Sequence, residues 1–146
     1  MLIRNWKYAD IYRITEIEAE CFPKEAWTFR MFADWFQSSA FYGLVAEEDG
    51  EIIGYGGLTV GYDDVDLENI AVAEEYRNRG VGRKILQELI REATMRKKDR
   101  MFLEVRISNA PAMLLYLKNG FVGNNVRPRY YADGEDALVM IKKLKK

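Results

Sequence analysis

The chain has 146 residues, 49% of them apolar, and its formal net charge at neutral pH is −1. This length and composition are typical of a single globular domain rather than a disordered segment. The balanced charge argues against a dedicated nucleic-acid-binding protein. The absence of histidine excludes Ser-His-Asp catalysis, Cys-His catalysis and zinc sites with histidine ligands.

The single cysteine and the apolar segments set further limits. With Cys21 alone, no intramolecular disulfide can form, and we expect a small buried side chain rather than a nucleophile. No apolar run approaches the ~20 residues of a membrane span, and no signal peptide is visible, so a cytoplasmic protein without membrane contact is expected. We interpret the basic tail as a solvated chain end; it consists of Lys142, Lys143, Lys145 and Lys146.

The first half of the chain predicts a strand, two helices and three further strands. Residues 2–4 form a short strand, and Asp10 is expected to cap a helix whose apolar residues over 11–22 have roughly helical spacing. Pro23 ends that helix, and Thr28 is expected to cap a second, shorter one. The strands that follow are predicted at residues 42–46, 52–60 and 65–72, with a hairpin turn at residues 48–51.

The second half predicts two more helices and three more strands. A helix follows the loop that ends at Gly82, and Asp99-Arg100 is expected to end it before a strand at residues 101–105. Its apolar face is formed by Ile85, Leu86, Leu89, Ile90 and Ala93. Asn109 is expected to cap a last helix that stops at Gly120. The final strands are predicted at residues 121–126 and 137–141.

This order of elements predicts an α/β fold. The sheet is expected to be mixed and mostly antiparallel, with about six to seven strands flanked by about four helices. Residues 1–146 would form one domain, because the sequence contains no repeat, low-complexity tract or linker.

The loop Arg77-Asn78-Arg79-Gly80-Val81-Gly82 is the most informative segment of the chain. Its glycines allow close backbone approach to a ligand, and the N-terminus of the next helix offers unpaired N–H groups with partial positive charge. Arg83 adds a further charge, so the segment is suited to a pyrophosphate. Neither the dinucleotide fingerprint nor the phosphate loop of nucleotide hydrolases is present. Taken alone, the segment is also compatible with a plain turn and solvated arginines.

The pattern R-x-x-G-x-G resembles the acetyl-CoA loop of the GCN5-related N-acetyltransferase (GNAT) family. The predicted order of elements is similar to that family, and further segments narrow the resemblance to its RimI-type branch, the bacterial ribosomal-protein-alanine N-acetyltransferases. Those segments run from Asn69 to Val72, from Leu103 to Ala112 with Leu115-Tyr116 and Gly120-Phe121, and from Arg129 to Tyr131 with residues 133–137. Together the four motifs cover residues 67–141.

One segment departs from the family pattern. RimI-type sequences carry adjacent proline and tryptophan after the first helix, whereas residues 24–26 separate Pro23 from Trp27 here. This loop helps to shape the peptide groove in the family. The departure therefore bears on the acceptor rather than on the chemistry.

The resemblance implies two catalytic residues. Glu104 matches the general base; an α-amine has a pKa of about 7.7–8.0, so a carboxylate that takes its proton allows it to attack. Tyr116 matches the general acid that protonates the departing coenzyme A thiolate. From the residues alone, Glu104 would be a half-exposed strand carboxylate opposite the core residue Leu103, and Tyr116 would be a core tyrosine.

Acetyl-CoA contacts are implied at three places. In the family, the strand with Ile70, Ala71 and Val72 splays from its neighbour, and its backbone groups pair with the pantetheine arm and polarise the thioester carbonyl. The remaining implied contacts are Arg77, Asn78, Arg79, Gly80, Val81, Gly82, Arg83 and the helix-capping Asn109.

The acceptor groove is expected between aromatic side chains of two loops. Trp27 on one loop and Tyr130 and Tyr131 on another are its candidate lining residues, although paired aromatics can also be structural. The acidic segments 63–66 and 133–136 are interpreted as turns, because they lack metal-site or calcium-loop spacing, and no metal is expected.

The sequence thus predicts direct acetyl transfer from acetyl-CoA to the N-terminal α-amine of a protein. By resemblance the acceptor is the N-terminal alanine of a ribosomal protein, small-subunit protein eighteen. A broader N-terminal, lysine or small-amine acetyltransferase remains open within the same chemistry. A non-catalytic acyl-CoA sensor is the alternative from another class, and retention of both Glu104 and Tyr116 argues against it.

Overall fold

A computed structural model describes residues 1–145, and in it seven strands form one sheet flanked by four α-helices. Lys146, the last residue of the predicted basic tail, lies outside the described residues. The strands are β1 (Leu2–Asn5), β2 (Phe41–Glu48), β3 (Glu51–Val60), β4 (Asp64–Val72), β5 (Arg100–Arg106), β6 (Val122–Arg127) and β7 (Ala137–Lys143). The helices are α1 (Ile11–Cys21), α2 (Phe29–Phe36), α3 (Val81–Met95) and α4 (Ala110–Lys118). Short 3-10 turns lie at Tyr8–Asp10 and Glu74–Tyr76.

The sheet has the order β1-β2-β3-β4-β5-β7-β6. β4 and β5 run parallel, with α3 as the crossover between them, and the other neighbouring strands are antiparallel. This confirms the predicted α/β fold with a mixed, mostly antiparallel sheet, and it confirms the predicted order of strands and helices.

Helices cover both faces of the sheet. The apolar face of α3 packs on β2, β3 and β4, whereas α1 and α2 pack on the opposite face. β3 lies between these layers, and its residues 52–58 are all buried. Two glycines allow the close packing, because a Cβ would lie 2.8 Å from the Ile85 side chain at Gly56 and 2.4 Å from the Trp35 side chain at Gly57.

Most of the predicted helix caps and turns form where the sequence predicts them. The Thr28 side chain accepts a hydrogen bond from the Met31 N–H, which caps α2 as expected. Asn109 caps α4 by accepting from the Ala112 N–H at 3.2 Å. The β2–β3 hairpin turns at Asp49 and Gly50, both with positive φ, as a two-residue primed turn requires. None of the helices within residues 1–145 is long and apolar enough to cross a membrane.

Two local predictions are wrong. The Asp10 carboxylate does not cap α1, because it accepts from the Lys7 N–H at 2.6 Å and pairs with Arg4 at 2.8 Å. Residues 8–10 form a 3-10 turn that runs into α1, so Asp10 closes that turn instead. α3 also ends earlier than expected, at Met95, because Lys97 adopts a positive φ of 61°.

Candidate active site

The site begins where β4 and β5 separate. The two strands are paired at three positions, Asp64 with Arg100, Val65 with Met101 and Asp66 with Phe102. Beyond these positions β4 continues to Val72 and β5 to Arg106 without pairing to each other. The sheet therefore opens in its middle, as the family resemblance implies, and one edge of β4 faces the gap.

The β4–α3 loop supplies a second part of the site. Asn78 and Gly80 have positive φ values of 62° and 81°, and this turn geometry directs the chain into α3. No side chain within residues 1–145 caps the start of α3. Its first amides therefore remain available to an anion, with the partial positive charge of the helix N-terminus behind them.

A cavity of about 580 Å³ lies against this loop, and we call it the α3 cavity. It is lined by Cys21, Phe22, Ile70, Ala71, Val72, Tyr76, Arg77, Asn78, Gly80, Val81, Gly82, Arg83, Asn109, Pro111, Ala112 and Leu115. Among the residues expected to contact acetyl-CoA, Arg79 alone does not line it, because its guanidinium stacks 5.3 Å from the Tyr76 ring. Uncapped amides, glycines and two lining arginines fit a phosphorylated ligand.

Arg77 and Cys21 meet at the end of β4. Arg77 donates from Nε to the Val72 carbonyl at 3.1 Å and from Nη2 to the Cys21 sulfur at 3.1 Å, and the thiol donates to the same carbonyl at 3.4 Å. The Val72 carbonyl is thus already engaged by protein donors. Cys21 is partly rather than fully buried, which departs from the expected buried side chain, but burial still raises the pKa of its thiol and so disfavours the thiolate that a nucleophile needs.

A second cavity of about 580 Å³ lies on the other side of the opening, and we call it the β5 cavity. Its lining residues are Glu18, Phe22, Glu25, Trp27, Leu67, Glu68, Asn69, Ile70, Leu103, Glu104, Val105, Arg106, Asn109, Ala112, Tyr116, Tyr130, Tyr131 and Ala132. All five residues predicted to act in catalysis or to bind the acceptor are among them. The two cavities share Phe22, Ile70, Asn109 and Ala112, so they meet at the gap between the strands.

Glu104 lies on the wall of the β5 cavity. Strand alternation places Leu103 in the core at 2% exposure and turns Glu104 to the opposite face, with its side chain 35% exposed. Its nearest cation is Arg127, whose Nε lies 3.7 Å from Oε1. This contact is too long for a strong hydrogen bond, so the carboxylate can accept a hydrogen bond from a bound amine.

Tyr116 reaches the same cavity from α4. Its ring packs edge-on against Phe121 with the centroids 5.7 Å apart, which fixes its direction. Burial, with a smaller effect of Tyr131, raises the pKa of the hydroxyl to about 12. The hydroxyl is therefore protonated throughout the physiological range, as a proton donor must be.

Aromatic side chains of two loops form the outer walls. Trp27 packs against Phe32 and Trp35, with ring centroids 5.3 and 5.5 Å away. Tyr130 and Tyr131 pack edge-on at 5.1 Å on the loop between β6 and β7. The structure thus brings the three predicted acceptor residues to one cavity from segments about 100 residues apart in the chain.

An ion-pair cluster around Arg106 joins these two loops. Arg106 binds Glu25 of the α1–α2 loop through both carboxylate oxygens, and donates to Asp133 at 2.9 Å and Glu135 at 2.7 Å on the β6–β7 loop. Its guanidinium also stacks 4.1 Å from the Tyr131 ring centroid. Arg106 lies within one of the family motifs, but the sequence alone indicates no role for it, because its partners are remote in sequence.

Glu68 is a second residue that sequence reasoning missed. The β3–β4 register shifts between Gly57 and Leu58, which leaves Glu68 as the extra residue of a β-bulge. Its carboxylate lines the β5 cavity and accepts from the Thr59 hydroxyl at 2.6 Å. The pKa of the Glu68 carboxyl is raised, mainly by burial. Asp64 and Asp66 are acidic residues of the same strand, so no sequence signal set Glu68 apart.

Comparisons with known proteins agree with this geometry. The profile described as Acetyltransferase (GNAT) family matches residues 11–121. A Bacillus subtilis protein, provisionally named a ribosomal protein bS18-alanine N-acetyltransferase, is 35% identical over 139 residues, which cover 94% of this chain and 92% of that protein. An N-alpha-acetyltransferase of Sulfurisphaera tokodaii is 34% identical, covering 94% of this chain and 90% of its own.

A solved structure extends the likeness to three dimensions. The ribosomal-protein-S18-alanine N-acetyltransferase of Escherichia coli superposes with a TM-score of 0.89 at 30% identity, covering 99% of this chain and 94% of that one. Members of the family use acetyl-CoA, and the α3 cavity has the groups that such a substrate requires. The chain therefore belongs to the GNAT family and is an acetyl-CoA-dependent N-acetyltransferase of RimI-like type.

Proposed function

We propose that this protein, as a single domain, acetylates the N-terminal α-amine of an alanine-starting ribosomal protein. The observation that carries the proposal is that Glu104 and Tyr116 line the β5 cavity, which meets the α3 cavity at the gap between the strands. A peptide that enters the β5 cavity by its N-terminus would bring its amine to the thioester held from the α3 cavity. A ribosomal acceptor would meet the enzyme in the cytoplasm.

The charges of the β5 cavity support an ammonium-bearing acceptor. Its lining includes four glutamates, namely Glu18, Glu25, Glu68 and Glu104, and one arginine, Arg106, which pairs with Glu25. A cavity lined by carboxylates attracts the protonated form of an amine, which must then lose its proton before it attacks. An α-amine gives up this proton more readily than a lysine, because their pKa values are about 7.7–8.0 and about 10.4.

In this proposal Glu104 accepts one proton of the reaction and Tyr116 donates the other. Glu104 takes the proton from the α-ammonium, directly or through one water. The edge of β4 at residues 70–72, which faces the gap, polarises the carbonyl that the amine attacks. Tyr116 gives its proton to the leaving thiolate, and no covalent acyl-enzyme forms. The α3 amides with Arg77 and Arg83 bind the pyrophosphate.

A broader N-terminal acetyltransferase is the second candidate. It is favoured by the 34% identity to an archaeal N-alpha-acetyltransferase and by the separation of Pro23 from Trp27 in the acceptor wall. The two candidates share the chemistry and differ in the side chains that the β5 cavity admits at the first residues of the acceptor.

The deciding experiment is mass-spectrometric detection of acetyl transfer to a peptide panel. The panel contains alanine-starting ribosomal peptides, peptides with other N-termini, and N-blocked peptides with internal lysine. Acetylation confined to the alanine α-amine is the expected result, and transfer to many N-termini would favour the broader enzyme. Labelling of internal lysine would refute the N-terminal assignment, and acetyl-CoA binding without any transfer would indicate a sensor.

A further inference from the structure

Glu18 is a buried carboxylate that takes no part in the proton transfers proposed above. It lies on α1, is 1% exposed, and forms part of the β5 cavity wall. Removing a carboxylate from water costs free energy unless well-placed donors compensate it. The donors that surround this carboxylate must therefore offset the cost of its burial.

Three donors from separate segments hold Glu18. The Tyr55 hydroxyl on β3 donates a short hydrogen bond to Oε1, and the Asn69 side-chain amide on β4 donates to the same oxygen at 2.8 Å. The backbone N–H of Trp27 donates to Oε2 at 3.0 Å. The two oxygens thus have different partners, since Oε1 binds the sheet and Oε2 binds the α1–α2 loop.

The loop contact lies at the acceptor wall. Trp27 of the α1–α2 loop lines the β5 cavity, and its backbone N–H is held by Glu18. Asn69 directly precedes Ile70, where the two cavities meet. A single carboxylate therefore links the acceptor wall to the part of β4 that borders the reaction.

We propose that Glu18 is a positioning residue that fixes Trp27, and with it the acceptor wall, relative to β4. The inference rests on the proposed function, because it requires the β5 cavity to take the acceptor. Both oxygens of Glu18 already accept hydrogen bonds from protein donors, so it acts through the Trp27 backbone, and its loss is expected to weaken acceptor binding rather than chemistry.

Glu18→Gln keeps the size of the side chain and removes its charge. If the amide NH2 faces Trp27, the loop N–H loses its acceptor; if the amide oxygen faces it, the acceptor is neutral and binds the N–H more weakly than a carboxylate does. The Tyr55 hydroxyl can accept as well as donate, and the Asn69 amide can turn, so the sheet contacts can form in either orientation. The substitution therefore weakens the hold on the loop in both cases.

Tyr55→Phe is the matched control. It removes a donor to the same carboxylate but leaves the Trp27 contact with Oε2 intact. We expect Glu18→Gln to raise the KM of the alanine peptide about tenfold, with kcat and the KM of acetyl-CoA within about twofold of wild type. Tyr55→Phe is expected to leave the peptide KM within about twofold.

Amide hydrogen exchange of residues 22–28 provides a readout that does not depend on the acceptor. Glu18→Gln should speed exchange at Trp27, and Tyr55→Phe should not. Unchanged exchange at Trp27 in Glu18→Gln, or an equal rise in peptide KM in both variants, would overturn the inference. Failure of the proposed function would instead be seen in wild type, as acetylation of other acceptors in the peptide panel.

Discussion

The two cavities are built in different ways. The α3 cavity is lined largely by residues 70–72 and, apart from Arg79, residues 76–83, and the uncapped backbone amides of α3 lie within this second stretch. The β5 cavity draws its charged side chains from α1, the α1–α2 loop, β4 and β5. A backbone site can be encoded in one short motif, whereas a side-chain site depends on the packing of the whole fold.

Substitutions in the two cavities should therefore affect different substrates. A change in the α3 cavity acts through local backbone geometry and should affect acetyl-CoA alone. A change in the β5 cavity alters charges that several segments share, so it should affect the acceptor or the proton transfers. The four predictions below test this separation, beginning with the largest expected effect.

Glu104→Gln should lower kcat by about 100- to 10,000-fold, the usual contribution of a general base. Acetyl-CoA binding should be retained, because Glu104 does not line the α3 cavity. A pH–rate profile of both enzymes, with acetyl-CoA affinity measured separately, checks this prediction.

Glu68→Gln is the control for this substitution. Glu68 is a carboxylate of the same cavity on the other side of the strand gap, and its hydrogen bond from Thr59 survives in the amide. We expect its kcat to stay within a few-fold of wild type. A large loss in Glu68→Gln with normal rates in Glu104→Gln would transfer the base role to β4.

Tyr116→Phe should lower kcat about 100-fold while the KM values stay nearly constant, because the ring packing is kept and the proton is lost. The raised pKa, about 12, means that the hydroxyl stays protonated as the pH rises through 10, where an ordinary tyrosine ionises. The rate of wild type should therefore not fall near pH 10 through loss of this proton. Tyr42→Phe, a half-buried tyrosine outside both cavities, is the control; an equal loss there would refute the role of Tyr116.

The fold, and the grouping of residues 70–72 with the loop before α3, could be predicted from the sequence because their signals are local. Glycine turns, the Thr28 and Asn109 caps and the apolar face of α3 each lie within a few residues of what they determine. Arg106 and Glu18 were missed, because their meaning depends on partners up to 81 residues away. The Asp10 prediction failed for a different reason: Arg4 and the Lys7 N–H are close in sequence, but they occupy the carboxylate that would have capped α1.

Arg106→Gln should raise the peptide KM about tenfold and leave the KM of acetyl-CoA unchanged. Without the guanidinium, Glu25, Asp133 and Glu135 repel one another, and the two loops that carry the acceptor walls are no longer joined. Steady-state kinetics with each substrate varied in turn distinguishes these effects.

Arg100→Gln is the matched control at the other end of β5. Arg100 also pairs with a carboxylate, that of Asp64 at 3.2 Å, and stacks 5.1 Å from the Phe102 ring, but it lines neither cavity. Its loss should leave both KM values within about twofold of wild type. If the two variants behaved alike, Arg106 would be a general structural residue of β5 rather than part of the acceptor wall.

Gly80→Ala addresses the α3 cavity and should have the smallest effect. Gly80 has a φ of 81°, and a side chain in that conformation costs about 1–2 kcal/mol, which the loop can relieve by shifting the first amides of α3. We expect the KM of acetyl-CoA to rise about threefold to fivefold and the KM of the peptide to stay unchanged.

Gly50→Ala is the matched control. It carries the same strain at a φ of 79° in the β2–β3 turn, with no atom within 4 Å of its Cβ. Both variants should therefore lose similar thermal stability, while the shift in KM should occur in Gly80→Ala alone. A rise in peptide KM in Gly80→Ala would show that the two cavities are coupled through Ile70 and Asn109, against the separation argued here.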